Sequence, residues 1–338
     1  MSKYQRKMSE GSGVVTMMAS RRGFIHAILL ILLTLAIMNY KFAMQSSSLQ
    51  VHSSLSTSSS SDSQSKYDNK PQRLNTREEQ DNWIRTNFRA SDPAEQEWCV
   101  NVLLTGTTWV KKTGGAQFSQ DVFIARNLFF EDIVNSVKRF YVEAGANHYR
   151  NLSTTYFYDK CLGWDGICVE PQAQYHADIE KHRSCKLVKQ CLSKEKSEMM
   201  IGGLKAHRGA GMFVKPIPDD GIIPNDGQIV WEKIACSPLD DMLSEEQRKH
   251  VDLMVLDVEG AEIIVLDTMK WDKLSFGALL IETNKMAPNV LRGLGEDMIN
   301  RGYPKLFDME IDTLYVDKKR LVPSDTWEPK DSVVGLKE

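Results

Sequence analysis

Two short apolar runs that each stop at an acid constrain this chain most. Phe140-Tyr-Val-Glu143-Ala-Gly145-Ala-Asn147 reads as a buried strand that turns abruptly into a helix, with Gly145 giving the backbone freedom for the turn and for close approach of a ligand. One crossover later, Gly166-Ile-Cys-Val-Glu170-Pro171 reads as a second strand ending in an acid, and Glu170 stands 23 residues after Asn147. In doubly wound folds an acid at about that distance beyond the glycine turn reaches ribose hydroxyls. The competing reading is that both acids simply end their strands at the surface.

The turn holds no Gly-x-Gly-x-x-Gly, so a pyrophosphate cradle is unsupported. A nucleoside without phosphates, such as S-adenosylmethionine, needs one close backbone approach and carboxylates for its ribose and cationic groups. Glu143 and Glu170 suit that ligand better than a dinucleotide.

The 338 residues divide unevenly in charge. Residues 1–44 carry +5 and the whole chain −3, leaving −8 on the remainder. A mildly acidic globular part offers no broad basic surface, so nucleic acid is not expected as a partner. Phe24 to Met38 is apolar apart from His26 and Thr34 and extends through Tyr40 and Phe42 toward a spanning length of ~20 residues. Five Lys/Arg precede it and only Lys41 follows before Lys66. The positive-inside rule then gives a cytosolic tail (1–23), a signal anchor (24–42) and a lumenal remainder, a single-pass type II protein of the Golgi or ER. A cleaved leader, giving a secreted or plastid-targeted chain, is the alternative. From Gln45 to Lys70, 12 of 26 residues are Ser, so residues 43–74 read as a disordered stalk.

Six cysteines admit 15 full pairings, and free or bridged cysteines fit equally. A Cys185–Cys191 bridge is excluded if both lie on one extended strand, whose ends would be roughly 20 Å apart. No Cys or His spacing suits a zinc site.

The globular domain is expected over 75–320, before a tail at 321–338. It opens with a capping box at Thr76-Arg-Glu-Glu79 and a second helix start at Ser91-Asp92-Pro93. A helix is expected over Gln120 to Val137, strands over 139–144, 167–170, 186–190, 253–257 and 278–282, and helices over 151–162, 173–182, 261–269 and 287–301. That alternation means a parallel sheet covered on both faces. Lys305 to Phe307 and Thr313 to Val316 suit an antiparallel hairpin at its edge. Residues 194–231, rich in Gly, Pro and Asp-Gly turns, read as an inserted hairpin and lid.

The strand Val251-Asp-Leu-Met-Val-Leu-Asp257-Val-Glu259-Gly260-Ala-Glu262 carries acids at two-residue spacing before a glycine that opens a helix. Asp257 and Glu259 should share a crevice with Glu143 and Glu170, outside the carboxyl ends of the strands. Asp257 is the expected general base, Glu259 its orienter, and Glu282 a neighbour on the next strand tip. Asp257 and Glu282 sharing a divalent cation is the open alternative, without an identifiable third ligand. Glu262 is expected to complement the helix dipole and Asp240-Asp241 to cap a helix.

The turn EAGAN, Ser153-Thr154, LGWDGICVEP (162–171), CLS (191–193), SPLDDML (237–243) and DLMVLDVEGAE (252–262), in this order, resemble FkbM-type methyltransferases from about Ser119 to Val316. With its N-terminal anchor the chain is also similar to the Star-type membrane proteins of animals. The resemblance implies a class I, Rossmann-like fold, an α/β doubly wound, mostly parallel seven-stranded sheet with an antiparallel edge hairpin. It implies S-adenosylmethionine as cofactor, contacts to it from Glu143, Gly145 and Asn147, ribose binding by Glu170, and methyl transfer beside Asp257 and Glu259. The acceptor expected from the compartment is a hydroxyl of a glycan or small molecule. The Star likeness implies the alternative of a non-catalytic lumenal cargo protein. One departure stands out: Tyr149 occupies the family's second glycine position, where a phenol would stack on the cofactor or obstruct it. Asn151-Leu-Ser153 is a glycosylation sequon, expected unmodified in a buried turn.

Overall fold

The computed structural model describes residues 74, 76–108, 114–204, 213–223, 227, 229–317 and 319. The anticipated cytosolic tail, signal anchor, stalk and C-terminal tail lie outside these residues, apart from Leu74 at the stalk's end. Among the described residues no helix is long and apolar enough to cross a membrane.

The chain enters through α1 (Arg77–Asn87), started by the reciprocal Thr76/Glu79 capping box, and a 3-10 turn (Pro93–Glu95) whose first amides Asp92 caps. Next come α2 (Gln96–Thr105), α3 (Gln120–Leu128) and α4 (Phe130–Val134). The single helix expected over 120–137 is thus two, parted at Phe129. That ring is fully buried edge-on to Trp164, so packing decides its backbone over helix propensity.

The sheet then forms from β1 (Phe140–Ala144), β2 (Asp165–Val169) and β3 (Lys186–Val188), joined by α5 (Tyr156–Lys160) and α6 (Ala173–His182). A second sheet follows: β4 (Cys191–Leu192), β5 (Ser197–Leu204), β6 (Phe213–Pro216) and β7 (Ile229–Ser237). After α7 (Leu239–Met242) and α8 (Glu245–Lys249) the main sheet resumes with β8 (Val251–Leu256), α9 (Glu262–Thr268), β9 (Phe276–Glu282), α10 (Pro288–Asn300), β10 (Lys305–Met309) and β11 (Asp312–Val316).

The seven-stranded sheet runs β10-β11-β9-β8-β1-β2-β3, parallel from β3 to β9 with β11 and β10 antiparallel at the edge. This is the expected doubly wound, mostly parallel seven-stranded sheet of a class I methyltransferase, with its antiparallel hairpin at the edge. Side chains alternate between two cores: Tyr141, Leu253 and Leu280 face the cluster under α1–α4, and Val142, Met254 and Leu279 face the one under α7, α9 and α10. Strand order reverses between β1 and β8, which is where such sheets bind ligands.

The insertion is larger than a hairpin. It is a four-stranded sheet, β4-β7-β5-β6, that recruits Cys191–Leu192 and extends to Ser237. Gly202, one of the glycines that suggested a loop, is a strand residue whose missing side chain leaves room for the Trp231 ring. All six cysteines are bridged, as Cys99–Cys161, Cys168–Cys185 and Cys191–Cys236. Cys185 and Cys191 are not joined to each other, in keeping with the span argument.

Candidate functional site

A cavity of about 300 Å³ opens at the carboxyl tips of β1, β2, β8 and β9, roofed by Ile201 and Val214 of the second sheet. Glu143, Gly145, Asn147, Glu170, Asp257, Glu259 and Glu282 all line it, so the sequence-selected residues meet in one place. Asp312 and Gln120 complete one wall and were missed by sequence reasoning. Asp312 had a signal: an antiparallel edge strand begins where its parallel neighbour ends, and Asp312 pairs with Glu282.

At the turn after β1, the amides of Gly145 and Ala146 donate to the Val169 carbonyl. Gly145 has φ 84°, and a Cβ there would run into the carbonyl oxygen of Asp257. The glycine therefore lets two strand tips touch, and it also lines the cavity. Asn147 takes a left-handed backbone (φ 51°) and its N–H donates to Glu170 Oε2 at 2.6 Å. The amide of Gln172 donates to the other Glu170 oxygen at 2.7 Å. Burial raises the Glu170 pKa to about 7 against these two amides.

Glu143 is saturated by the protein. Ser153 Oγ donates to both its oxygens, Thr155 donates from N and Oγ1, and Arg183 Nη1 lies 3.4 Å away. Arg183 is fully buried and also holds Asp159 at 2.7 Å. Glu143 thus anchors the loop 145–155 instead of presenting a free carboxylate. Tyr149 is not among the cavity-lining residues. It stacks between His148 and His182, each at 4.5 Å, so it neither fills the pocket nor covers a ligand. Asn151 in the same loop is exposed, while Ser153 is buried; the sequon's acceptor residue is not in a buried turn.

Asp257 follows β8, its N–H donating to the Ala144 carbonyl. Its Oδ1 is buried with no donor among the described residues. Burial, then the charges of Glu282 and Glu259, raises its pKa to about 8. Glu259 holds a left-handed backbone (φ 58°), and Lys285 donates to both Glu259 and Glu282 across the cavity rim. Burial also raises Asp312 to about 7, countered by Gln120 Nε2 donating at 2.6 Å.

Oxygens of Asp257, Glu262 and Glu282 lie within 4.8 Å of one another, a spacing suited to a hard cation. Two of the three are already engaged. Glu262 Oε1 accepts the amides of Val258 and Gly260, and Lys285 holds Glu282. Glu262 therefore fastens the loop 258–260 as well as heading α9, the dipole role alone being too small a description. Asp240 and Asp241 make no cap of α7; Asp240 is buried near the Lys270 amide and Asp241 pairs with Lys196.

No curated protein matches the chain. Among solved structures it is similar to precorrin-6y C5,15-methyltransferase from Geobacter metallireducens GS-15, at 12% identity over 53% of this chain and 78% of that one (TM-score 0.27). It is also similar to the N-terminal domain of human METTL16 in complex with SAH, at 13% identity over 54% and 62% (TM-score 0.28). The strand order, rather than these likenesses, carries the fold. Residues 143–299, from the tip of β1 to the end of α10, match the family model of the methyltransferase FkbM domain, which makes S-adenosylmethionine the cofactor of this domain.

Proposed function

We propose that this domain is an O-methyltransferase acting on a hydroxyl of a glycan or another secretory-pathway molecule, with Asp257 removing the acceptor proton. The observation that carries the reading is Asp257 Oδ1, a buried acceptor without a donor, set where the sheet changes direction. A carboxylate so placed, with a pKa near the operating range, is suited to general base catalysis. S-adenosylmethionine supplies an electrophilic methyl group when bound. The chain's own part is to hold and align. Glu170 fixes the Asn147 turn and faces the cavity for ribose hydroxyls. Glu259 and Glu282 keep the electrostatic environment of Asp257 negative, favouring a cationic sulfonium, while Lys285 ties both acids in place.

Six carboxylates and no Lys or Arg line the cavity among the described residues, which favours an uncharged hydroxyl over a nucleic-acid backbone. Gln117, Gln172 and Gln190 offer side-chain amide N–H groups to such an acceptor, Gln120 being held by Asp312 and the Phe118 amide. Three disulfides favour an oxidising compartment and so support a lumenal domain behind a type II anchor at 24–42.

The second reading, a non-catalytic lumenal binding protein, draws on Glu143, whose donors are already complete. Calorimetric titration with S-adenosylmethionine and S-adenosylhomocysteine separates the two. Binding near micromolar is expected of the enzyme; absence of binding by a folded protein would sink it.

A further inference from the structure

We propose that Asn151 carries an N-linked glycan at the edge of the cavity. The chain holds one Asn-x-Ser/Thr sequon, Asn151-Leu152-Ser153. Three observations make it usable. Asn151 is exposed, and its backbone N–H is turned inward to His148 Nδ1 at 3.1 Å, which leaves the side chain at the surface. Leu152, the middle residue, is 43% exposed and has φ 67°, so the chain turns outward directly after Asn151, whose backbone makes only a single β-bridge, to Gly115. The Ser153 hydroxyl is buried against Glu143 only after folding. Sequons are read on the emerging chain, where that hydroxyl is free, so the native burial of Ser153 does not oppose the reaction. What the folded state must tolerate is bulk on Asn151, and an exposed turn tolerates it.

The modification balances simply. The amide nitrogen of Asn151 loses a proton and bonds to the anomeric carbon of a polyprenyl-pyrophosphate-linked oligosaccharide, whose carbon–oxygen bond breaks to release the polyprenyl pyrophosphate. The donor belongs to the secretory pathway, so the inference rests on the lumenal placement proposed above. The three buried disulfides point to the same compartment independently of the N-terminal charge pattern. Leu152 and Thr154 both line the cavity, so a glycan at Asn151 borders its mouth, and an acceptor must be presented past it.

The test expresses the full chain in eukaryotic cells beside two variants, Asn151→Gln and Ser58→Asn, the latter creating a reporter sequon in the Ser-rich segment. Expected is a mobility shift removed by peptide N-glycosidase F, conversion of Asn151 to Asp in the peptide mass spectrum after that treatment, and loss of the shift in Asn151→Gln. Glycosylation of the Ser58→Asn reporter with Asn151 unmodified would overturn the inference and leave the compartment intact. An unmodified reporter together with an unmodified Asn151 would overturn the lumenal placement, and the glycan with it.

Discussion

Gly145 and Asp257 meet backbone to backbone. The turn after β1 crosses the end of β8 so closely that a side chain on Gly145 would collide with the Asp257 carbonyl oxygen. The β1 turn that lines the cavity and the residue proposed to take the proton are thereby one mechanical unit. Gly145→Ala should lose about 2–4 kcal/mol, from a left-handed backbone and a contact with no flexible end to yield. Thermal melting checks the loss, and wild-type stability would show that the two strand tips part easily.

Asp257→Asn keeps size and hydrogen bonding but removes proton acceptance. Turnover should fall roughly 10²-fold or more while cofactor affinity changes little. Stopped assays with S-adenosylmethionine, paired with calorimetry, give both numbers. A stable, cofactor-binding variant with full turnover removes Asp257 from the mechanism and transfers the role to Glu259 or Glu282.

The pH dependence follows from the raised carboxyls. Asp257 titrates at about 8 in the folded domain against 3.8 in the unfolded chain, and Glu170 and Asp312 at about 7. The folded state therefore holds more protons across this interval. Stability from these groups is full below pH ~4 and declines as pH rises through 7 to 8. A base must be ionised, so kcat/KM should rise over the same upper range and level off above about 8. Melting curves from pH 5 to 9 should show the ligand-free domain losing stability, and Asp257→Asn should flatten the upper part of that decline.

Glu170 accepts two backbone amides while facing the cavity. Charge-assisted bonds of this kind contribute about 1.5–3 kcal/mol each way they are lost. Glu170→Ala should weaken cofactor binding ~10-fold or more, measured by calorimetry. Unchanged affinity in the folded variant would reduce Glu170 to a strand terminator.

Arg183 is the structural counterpart. Its guanidinium reaches Asp159, Thr155, Ser153, Tyr141 and the Tyr149 carbonyl, all without solvent. Removing it strands two buried carboxylates, so Arg183→Met should cost about 3–5 kcal/mol. Adding Glu143→Gln should return part of the loss in a double-mutant cycle. Additive losses would mean that Arg183 and Glu143 act independently.

The parallel core was readable because each of its strands is a short apolar run that stops at an acid or amide, and those acids fall at one end of any doubly wound sheet. β8 and β9 began two residues earlier than expected, since Val251 and Phe276 are buried strand residues that follow charged or polar neighbours. The second sheet was hidden by its glycines, which signalled turns while Gly202 was in fact making room for Trp231. Arg183 gave no local sign at all. Its partners Asp159 and Glu143 lie 24 and 40 residues away, so only folding brings the charges together. Tyr149 misled for the reverse reason: its place in a motif suggested a ligand contact, whereas His148 and His182 stack on it and none of the three lines the cavity.

β11 brings Asp312 beside Glu282 into the lining of the same cavity as Glu143, so the cavity draws on residues from Gln117 to Asp312. During synthesis that wall leaves the ribosome well after β1 and β2 have emerged. Until then the cavity lacks the wall that Glu282 and Asp312 supply. A ligand that needs both walls stabilises the assembled domain and not its earlier fragments.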